Sequence, residues 1–554
     1  MKFENNRFCG DSAAHRRATY KGCGYDPSDL NRPHIGIANT FNEGTPGHAH
    51  LRPLADAIKA GVWQAGGMPV EFGVPSSCAN ITLGTSCMSF DLAMRDVVAA
   101  SVELVAQLQL YDGLVLTASC DNIVPGMLLA AARLDIPTVI FTGGPMLAGH
   151  IGNKPLLLGD INELVTGDVA KGDTDKKLLI QKEYNACPTF GACPLMGTAN
   201  TMQIISEALG MAIPGSSTIP AVYTDKFVGA RQTGKRIVQM VEEGLLPSKI
   251  ITKEALENAM RVDLAITGST NAPMHLIAIA NELDIDLTLD EFDAFSRTTP
   301  CITNIRPFGK HSVDELHASG GLPAICKQLE PLLHTNCLTV SGKTWGDVLD
   351  GFSMLTNDII HSIDNPISPY GGLAVLKGNL AEYGALIRAS TVREEMQHFK
   401  GPARVFHRDE DAFDAIVNGS IKPGDVIVIR YVGPVGAPGM LEVMLTADAL
   451  LAPGMERVGM ITDGRFSGFN HGPIVGHVSP EAAIGGTIAL VEEDDMIEMD
   501  ISARKLLLHV DDVTLDMRRT KLVPPIPRVL KGFMRTYAKQ CLRPDQGAAM
   551  QSWD

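Results

Sequence analysis

At 554 residues the chain is too long for one ordinary hydrophobic core, so two or more domains are expected. Its 45% apolar fraction and 54 glycines, with only 5% aromatic residues, suit a loop-rich α/β enzyme and exclude a disordered chain. Forty-seven basic and 63 acidic residues leave a formal charge of −16 with no dense basic run, so nucleic acid is not an expected partner.

The first residues, MKFENNRFCGDSAAHRR, hold no apolar stretch before a small-residue cleavage site, and no segment approaches the roughly 18 uninterrupted apolar residues of a membrane span. A cytoplasmic protein with no membrane partner is expected. The eleven cysteines then read as reduced thiols, with Cys23, Cys301, Cys326, Cys337 and Cys541 as buried small hydrophobes.

In chain order, HIGIAN (34–39) reads as a strand, and residues 50–65 carry apolar side chains at helical spacing until Gly66-Gly67 stops them. MPVEFGV, a helix over 90–107, the strand GLVLTAS (113–119), a helix after Pro125 and the strand IPTVIFTGG (136–144) follow. This alternation predicts a parallel sheet covered by helices, with ligands gathering where strands end and helices begin. Residues 149–183, with GDVAKGDTDKK, read as a polar surface excursion. Beyond about residue 401, GDVIVIRYVG, ERVGMITDG, GGTIALVEEDDMIEMDI and KLLLHV are short strand-like runs broken by Gly, Pro and Asp. They predict a second, β-rich domain, placed at 386–554 after an α/β domain at 1–385.

Cys78 follows VEFGV, Cys120 follows GLVLTAS, and Cys193 in GACPLMGTANTM precedes a helical stretch. All three are expected at strand-to-helix turns on one end of the sheet. Their separations match no zinc-ribbon pattern. Three thiolates without a fourth suit an iron–sulfur cluster with one iron open to substrate; the alternative is three unrelated buried thiols. Cys87 and Cys187 are lesser rival ligands, since one falls in a helical turn and the other precedes proline. Asp121 reads either as a turn or N-cap residue or as a ligand for a hard cation. In the C-terminal half, GPVGAPGMLEVM delivers Glu442, and MITDGRFSGFNHG exposes Ser467 on a tight turn outside the GxSxG pattern of hydrolases.

The runs TPGHAHL, SCDNIVPGMLLAAARLDIPTVIFTGGPMLAG, GACPLMGTANTM, EALGMAIPGSSTIPA, GSTNAPMHL, NPISPYGGLAVLKGNLA, GAPGMLEVM and TDGRFSGFNHGPIVGHVSPEAA resemble, in order, the dihydroxy-acid and 6-phosphogluconate dehydratase family, which includes sugar-acid dehydratases. The resemblance implies an N-terminal α/β domain, a C-terminal β-barrel-like swivelling domain, a homodimer or homotetramer, and a cluster on Cys78, Cys120 and Cys193. One branch of the family has its first ligand in a TPCN-like motif, where this chain has Gly47; the other has it in a CDG motif, here CAN at Cys78. That second branch favours a 4Fe-4S over a 2Fe-2S cluster.

The family also places Mg²⁺ beside the cluster, on two aspartates, a carbamylated lysine and a glutamate. Asp121 and Glu442 match two of these ligands, whereas Ala79 and Asn122 stand where the other aspartate and the lysine belong. Alanine offers no oxygen and asparagine only a neutral acceptor, so Mg²⁺ binding is expected to be weak or to depend on substrate oxygens. The implied chemistry is loss of water from a 2,3-dihydroxy acid to give a 2-keto acid, with Ser467 as the base and Asp121 as a possible substitute. A dihydroxy-acid dehydratase of branched-chain amino-acid synthesis is the first reading, and a sugar-acid (aldonate) dehydratase the second. A non-catalytic iron–sulfur or ligand-binding relative would explain Ala79 and Asn122; the intact GRFSG, GAPGMLE and three cysteines oppose it.

Overall fold

The computed structural model describes residues 6–165, 175–353, 357–452, 454–466, 472–523, 528–529 and 531–551. Four parallel strands form the first sheet: β1 (His34–Asn39), β2 (Met68–Gly73), β3 (Gly113–Ala118) and β4 (Thr138–Thr142), in the order β2-β1-β3-β4. Ile37 pairs with both Glu71 and Val115, and Leu116 pairs with Ile140. Every residue of β1, β3 and β4 is buried, as the near-continuous apolar runs require of a sheet covered on both faces. The crossovers are α1 (Leu51–Gln64), α2 (Phe90–Gln109) and α3 (Ile123–Leu134). Helix α3 begins before Pro125 rather than after it, because the first turn leaves its N–H groups unbonded and tolerates a residue that has none.

Downstream of the sheet come α4 (Thr198–Ala208), α5 (Thr224–Glu243) and α6 (Lys253–Ala265). Helix α5 lies against α1 at two glycines. A Cβ on Gly61 would fall 2.1 Å from the Arg231 carbonyl oxygen, and one on Gly234 would fall 2.1 Å from that of Ile58. The backbones touch because neither position carries a side chain.

The polar stretch after β4 is more ordered than its composition suggests. It contains a hairpin of β5 (Gly149–Ile151) and β6 (Lys154–Leu156) and the helices Gly159–Leu164 and Lys176–Asn185. Most of GDVAKGDTDKK lies outside the described residues.

The C-terminal half closes into a mixed eight-stranded barrel. Its members are β7 (Ala374–Gly378), β8 (Ala381–Ile387), β9 (His398–Phe406), β10 (Val426–Ile429), β11 (Gly459–Thr462), β12 (Ile474–Ser479), β13 (Met496–Asp500) and β14 (Lys505–Leu508). Around the barrel they run β10-β11-β12-β8-β7-β14-β13-β9, and β9 pairs with β10 to seal it. Val426, Val428, Ile461, Val475 and Leu506 belong to one buried cluster in this barrel. A division at 385/386 falls inside β8, whose partners β7 and β12 are both barrel strands; a division that keeps the barrel whole lies before Ala374. The run TIAL is not a strand. Thr487–Leu490 forms a 3₁₀ turn, because the Arg430 guanidinium donates to the carbonyls of Ile488, Ala489 and Val491 (3.2, 2.6 and 2.8 Å), in place of a neighbouring strand.

Cys301, Cys326 and Cys337 are buried, as expected. Cys23 is exposed instead, at the C-cap of the helix Ala14–Gly22, and Cys541 is only partly buried. The close α1–α5 contact yields a stability prediction. Gly234→Ala should destabilise the chain by about 1–3 kcal/mol, read as a lower urea midpoint at unchanged slope; an unchanged midpoint would show that the contact relaxes freely.

Candidate active site

The turn after β3 carries Cys120, and a buried histidine holds it in place. The Cys120 backbone N–H donates to His48 Nε2 at 3.1 Å, so His48 carries its proton on Nδ1 and donates it to Thr40 Oγ1 at 2.9 Å. The Thr40 hydroxyl in turn donates to the Thr117 carbonyl of β3 at 2.7 Å. Burial, reinforced by His50, lowers the His48 pKa to about 3, so the ring stays the neutral acceptor this chain needs. Next to it, a Cβ on Gly47 would lie 2.6 Å from Cys120 Sγ.

Cys78 follows β2 and caps the 3₁₀ turn Ala79–Thr82. Cys193 differs from the expected pattern: no strand of the sheet precedes it. Ala192 instead bridges in parallel to Pro145 beyond β4, and Cys193 stands five residues ahead of α4. The three thiols nevertheless line one cavity of about 270 Å³, together with Gly47, Leu83 and Met146. Cys187 also reaches this cavity, whereas Cys87 lies exposed in the turn Ser86–Ser89.

Cys120 hydrogen-bonds to Cys78, which pulls Cys78 down to about 7 and pushes Cys120 well above the usual thiol range, with burial adding to the rise. Burial also pushes Cys193 up, although Asn80 Nδ2 donates to its sulfur at 3.3 Å. Three thiols in a mainly apolar cavity, Cys78 easily ionised and Cys120 and Cys193 held neutral by burial, are a donor set that an iron–sulfur cluster would fit: iron would supply the positive charge the two buried thiols lack, and Asn80 would offer a donor to the Cys193 sulfur.

A smaller cavity of about 80 Å³ adjoins the first and shares Ala79, Asn80, Asp121 and Cys193 with it. Its far side is formed by Glu442, Asp448, Arg388 and the start of α4. Burial, and then the charges of Asp91 and Glu442, push Asp121 well above the usual carboxylate range, with Arg465 opposing. Glu442 arrives on a loop fixed by two buried acids. Asp463 accepts from the N–H groups of Tyr431, Val432 and Ala482 at 3.0, 3.0 and 2.9 Å. Glu481 accepts from Val435 at 2.8 Å and Gly436 at 3.1 Å.

Two residues that the sequence reading left without a role stand at the centre. Arg465 is fully buried; its Nε donates to the Met440 carbonyl at 2.9 Å, and its Nη atoms lie 3.6 Å from Asp91 and 3.9 Å from Glu442. Asp91, in the first turn of α2, also accepts from Asn122 Nδ2, and burial raises its pKa. An acidic residue in a first helical turn is ordinary, so its sequence context carries no signal.

The Mg²⁺ ligands implied by resemblance do not assemble as a set. Ala79 brings only a methyl group, and Asn122, 1% exposed, directs its amide N–H at Asp91. Among the described residues, one trio of His, Asp and Glu has ligand atoms within 4.8 Å of one another, and it lies elsewhere, at His398, Glu498 and Asp500 on the barrel. Asp121 and Glu442 do share the small cavity. Ser467 lies outside the described residues; its neighbours Arg465 and Phe466 are buried.

A parallel sheet that gathers three cysteines at its carboxyl ends, with a closed barrel supplying an acid to the same cleft, defines a two-part α/β and β-barrel protein with a catalytic type of cavity. The comparisons narrow this to a family. Residues 32–348 match the dihydroxy-acid/6-phosphogluconate dehydratase N-terminal model and residues 358–548 the corresponding C-terminal model, so the chain belongs to that family. Among similar proteins are dihydroxy-acid dehydratases of Ignicoccus hospitalis (47% identical over 97% of this chain and 98% of the relative), Caldanaerobacter subterraneus subsp. tengcongensis (44%, over 98% of each) and Pyrococcus abyssi (44%, over 98% of each).

Burial and the charge of Asp463 raise Glu481 to about 8 from an ordinary 4.5. Between those values the unfolded chain has released a proton that the folded chain keeps, so stability falls as pH rises across the window. Glu481→Gln should flatten that decline, measured as urea midpoints from pH 5 to 8; an undiminished slope would exclude Glu481 as its source.

Proposed function

We propose that the chain dehydrates a 2,3-dihydroxy carboxylic acid to a 2-keto acid, and that its substrate has a branched aliphatic chain. The observation that carries this reading is the meeting of Cys78, Cys120, Cys193, Asp121 and Glu442 around two contiguous cavities, in a chain that aligns end to end with dihydroxy-acid dehydratases. Met88, Leu158, Leu195, Met196, Pro307 and Met444 line the smaller cavity, which suits an alkyl tail better than the polyhydroxyl tail of an aldonate.

Cys78, Cys120 and Cys193 would hold an iron–sulfur cluster, 4Fe-4S by the branch resemblance, which when bound would supply Lewis acidity toward a substrate hydroxyl. The protein does the rest. A base takes the C2 proton, the C2–H electron pair forms the C2=C3 bond, the C3–O bond breaks to release water, and the enol tautomerises to the keto acid. Ser467 is the proposed base by its motif. Asp121, whose carboxyl burial and neighbouring acids push up so that its protonated form is favoured, either replaces it or returns the proton to the leaving hydroxyl. No step is assigned to Mg²⁺. A cytoplasmic location and a homodimer or homotetramer belong to the same reading and rest on the family resemblance.

The test is anaerobic purification, an absorption spectrum for the cluster, and keto-acid detection over branched dihydroxy acids and aldonates, with and without Mg²⁺. Branched acids should turn over and aldonates should lag. No product from either, with the cluster intact, would defeat the reading in favour of a non-catalytic relative. Ser467→Ala should lower turnover by at least about a hundredfold with an unchanged spectrum; near-normal turnover would remove Ser467 as the base.

A further inference from the structure

We infer that Arg388, together with the first turn of α4, binds the carboxylate of the substrate. The inference rests on the hydroxy-acid reading above and names the group that orients the substrate within the cleft.

Arg388 immediately follows β8 and lines the smaller cavity, where among the described residues it is the one cationic side chain beside three acids, Asp121, Glu442 and Asp448. It is 7% exposed. One Nη donates to the Gly268 carbonyl at 3.1 Å, which fixes the plane of the guanidinium, while the buried Nε has no hydrogen-bond partner among the described residues. A buried guanidinium with an unused donor is costly unless an anion completes it. The carboxylate that acts on it electrostatically is Asp263 of α6, which burial pushes well above the ordinary carboxylate range while Arg388 opposes the rise; neither Asp263 oxygen hydrogen-bonds the guanidinium.

The start of α4 faces the same space. Met196, Gly197, Thr198 and Ala199 all line the cavity, and the N-cap is Gly197, which offers no side chain to the first-turn N–H groups. Thr198 cannot serve instead, because its hydroxyl is held by Ser269 Oγ at 2.7 Å and Asn271 Nδ2 at 2.9 Å. An eleven-residue helix without a side-chain cap presents free N–H groups and about half a positive charge at this end. Two independent anion-seeking groups therefore converge, one from the α/β unit and one from the barrel.

A bound hydroxy acid then has a single favourable sense. Its carboxylate lies at Arg388 and α4, and its hydroxyls turn toward Asp121, Glu442 and the cysteine-lined cavity, since the reverse orientation sets carboxylate against carboxylate.

The experiment uses cluster-loaded protein under anaerobic conditions. Calorimetry compares a branched 2-keto acid with the corresponding 2-keto carboxamide, for wild type, Arg388→Gln and Arg388→Lys, with kcat and KM measured alongside. Wild type should prefer the carboxylate. Arg388→Gln should weaken keto-acid binding and raise KM on the order of a hundredfold while carboxamide affinity stays within a factor of about three, so that the preference collapses. Arg388→Lys keeps the charge but loses the planar fork and should fall in between, at about tenfold. An intact carboxylate preference in Arg388→Gln would overturn the inference. If that variant does not fold, an unaltered preference and KM in Arg388→Lys would overturn it as well. Arg388-dependent binding of keto acids without turnover of any dihydroxy acid would defeat the dehydratase reading and leave this inference standing.

Discussion

Arg465 is where the two halves of the molecule settle their electrostatics. Its guanidinium is out of water, between Asp91 on a helix of the α/β unit and Glu442 on a loop of the barrel, with Asp121 close enough to feel its charge. Burying one cation and three acids is unfavourable for each group alone. The arrangement persists because the Arg465 backbone is tied on both sides, its N–H to the Leu441 carbonyl at 2.8 Å and its carbonyl to the Val443 N–H at 2.9 Å. The loop bearing Glu442 and the turn bearing Arg465 thus move as one piece. Whatever shifts the barrel shifts both members of the charge balance.

A second constraint comes from the sheet. In the order β2-β1-β3-β4, the chain leaves β1 toward β2 on one side and leaves β3 toward β4 on the other, so the loops after β1 and β3 part between these two strands. Gly47 lies after β1 and Cys120 after β3, so the cavity opens where such sheets characteristically bind ligands. His48 then locks the two loops together through one ring, bonded to Thr40 on one side and to the Cys120 backbone on the other.

The sheet, its crossover helices and four of the eight barrel strands (β10, β11, β13 and β14) were legible in the sequence, because periodicity of apolar residues reports directly on which faces are covered. The three cysteines were legible too, although Cys193 reaches the cavity through a bridge beyond β4 that no local pattern announces. TIAL was misread because the partner of its Ile488 and Ala489 carbonyls is Arg430, 58 and 59 residues away, and not an adjacent strand. Asp91, Arg388 and Arg465 escaped for a related reason: each is unremarkable in its own segment and acquires a role only from groups distant in sequence. The division at 385/386 falls inside β8 because the β-rich texture was read from the Gly- and Pro-broken runs beyond residue 401, whereas β7 already begins at Ala374 after the irregular, Pro- and Gly-containing stretch that follows the last helix before it.

Gly47 also bears on which loop fills one corner of the cavity. An atom added there would press against the Cys120 sulfur, while Cys78 reaches the same sulfur from the opposite loop. Side chains at 47 and 78 therefore compete for one corner of the cavity. A side chain at 47 could share that corner with Cys78 only if the Cys120 sulfur moved aside. Glycine at 47 therefore leaves the corner to the thiol that comes from the other loop, and a larger residue there would have to displace a buried sulfur rather than a solvated side chain.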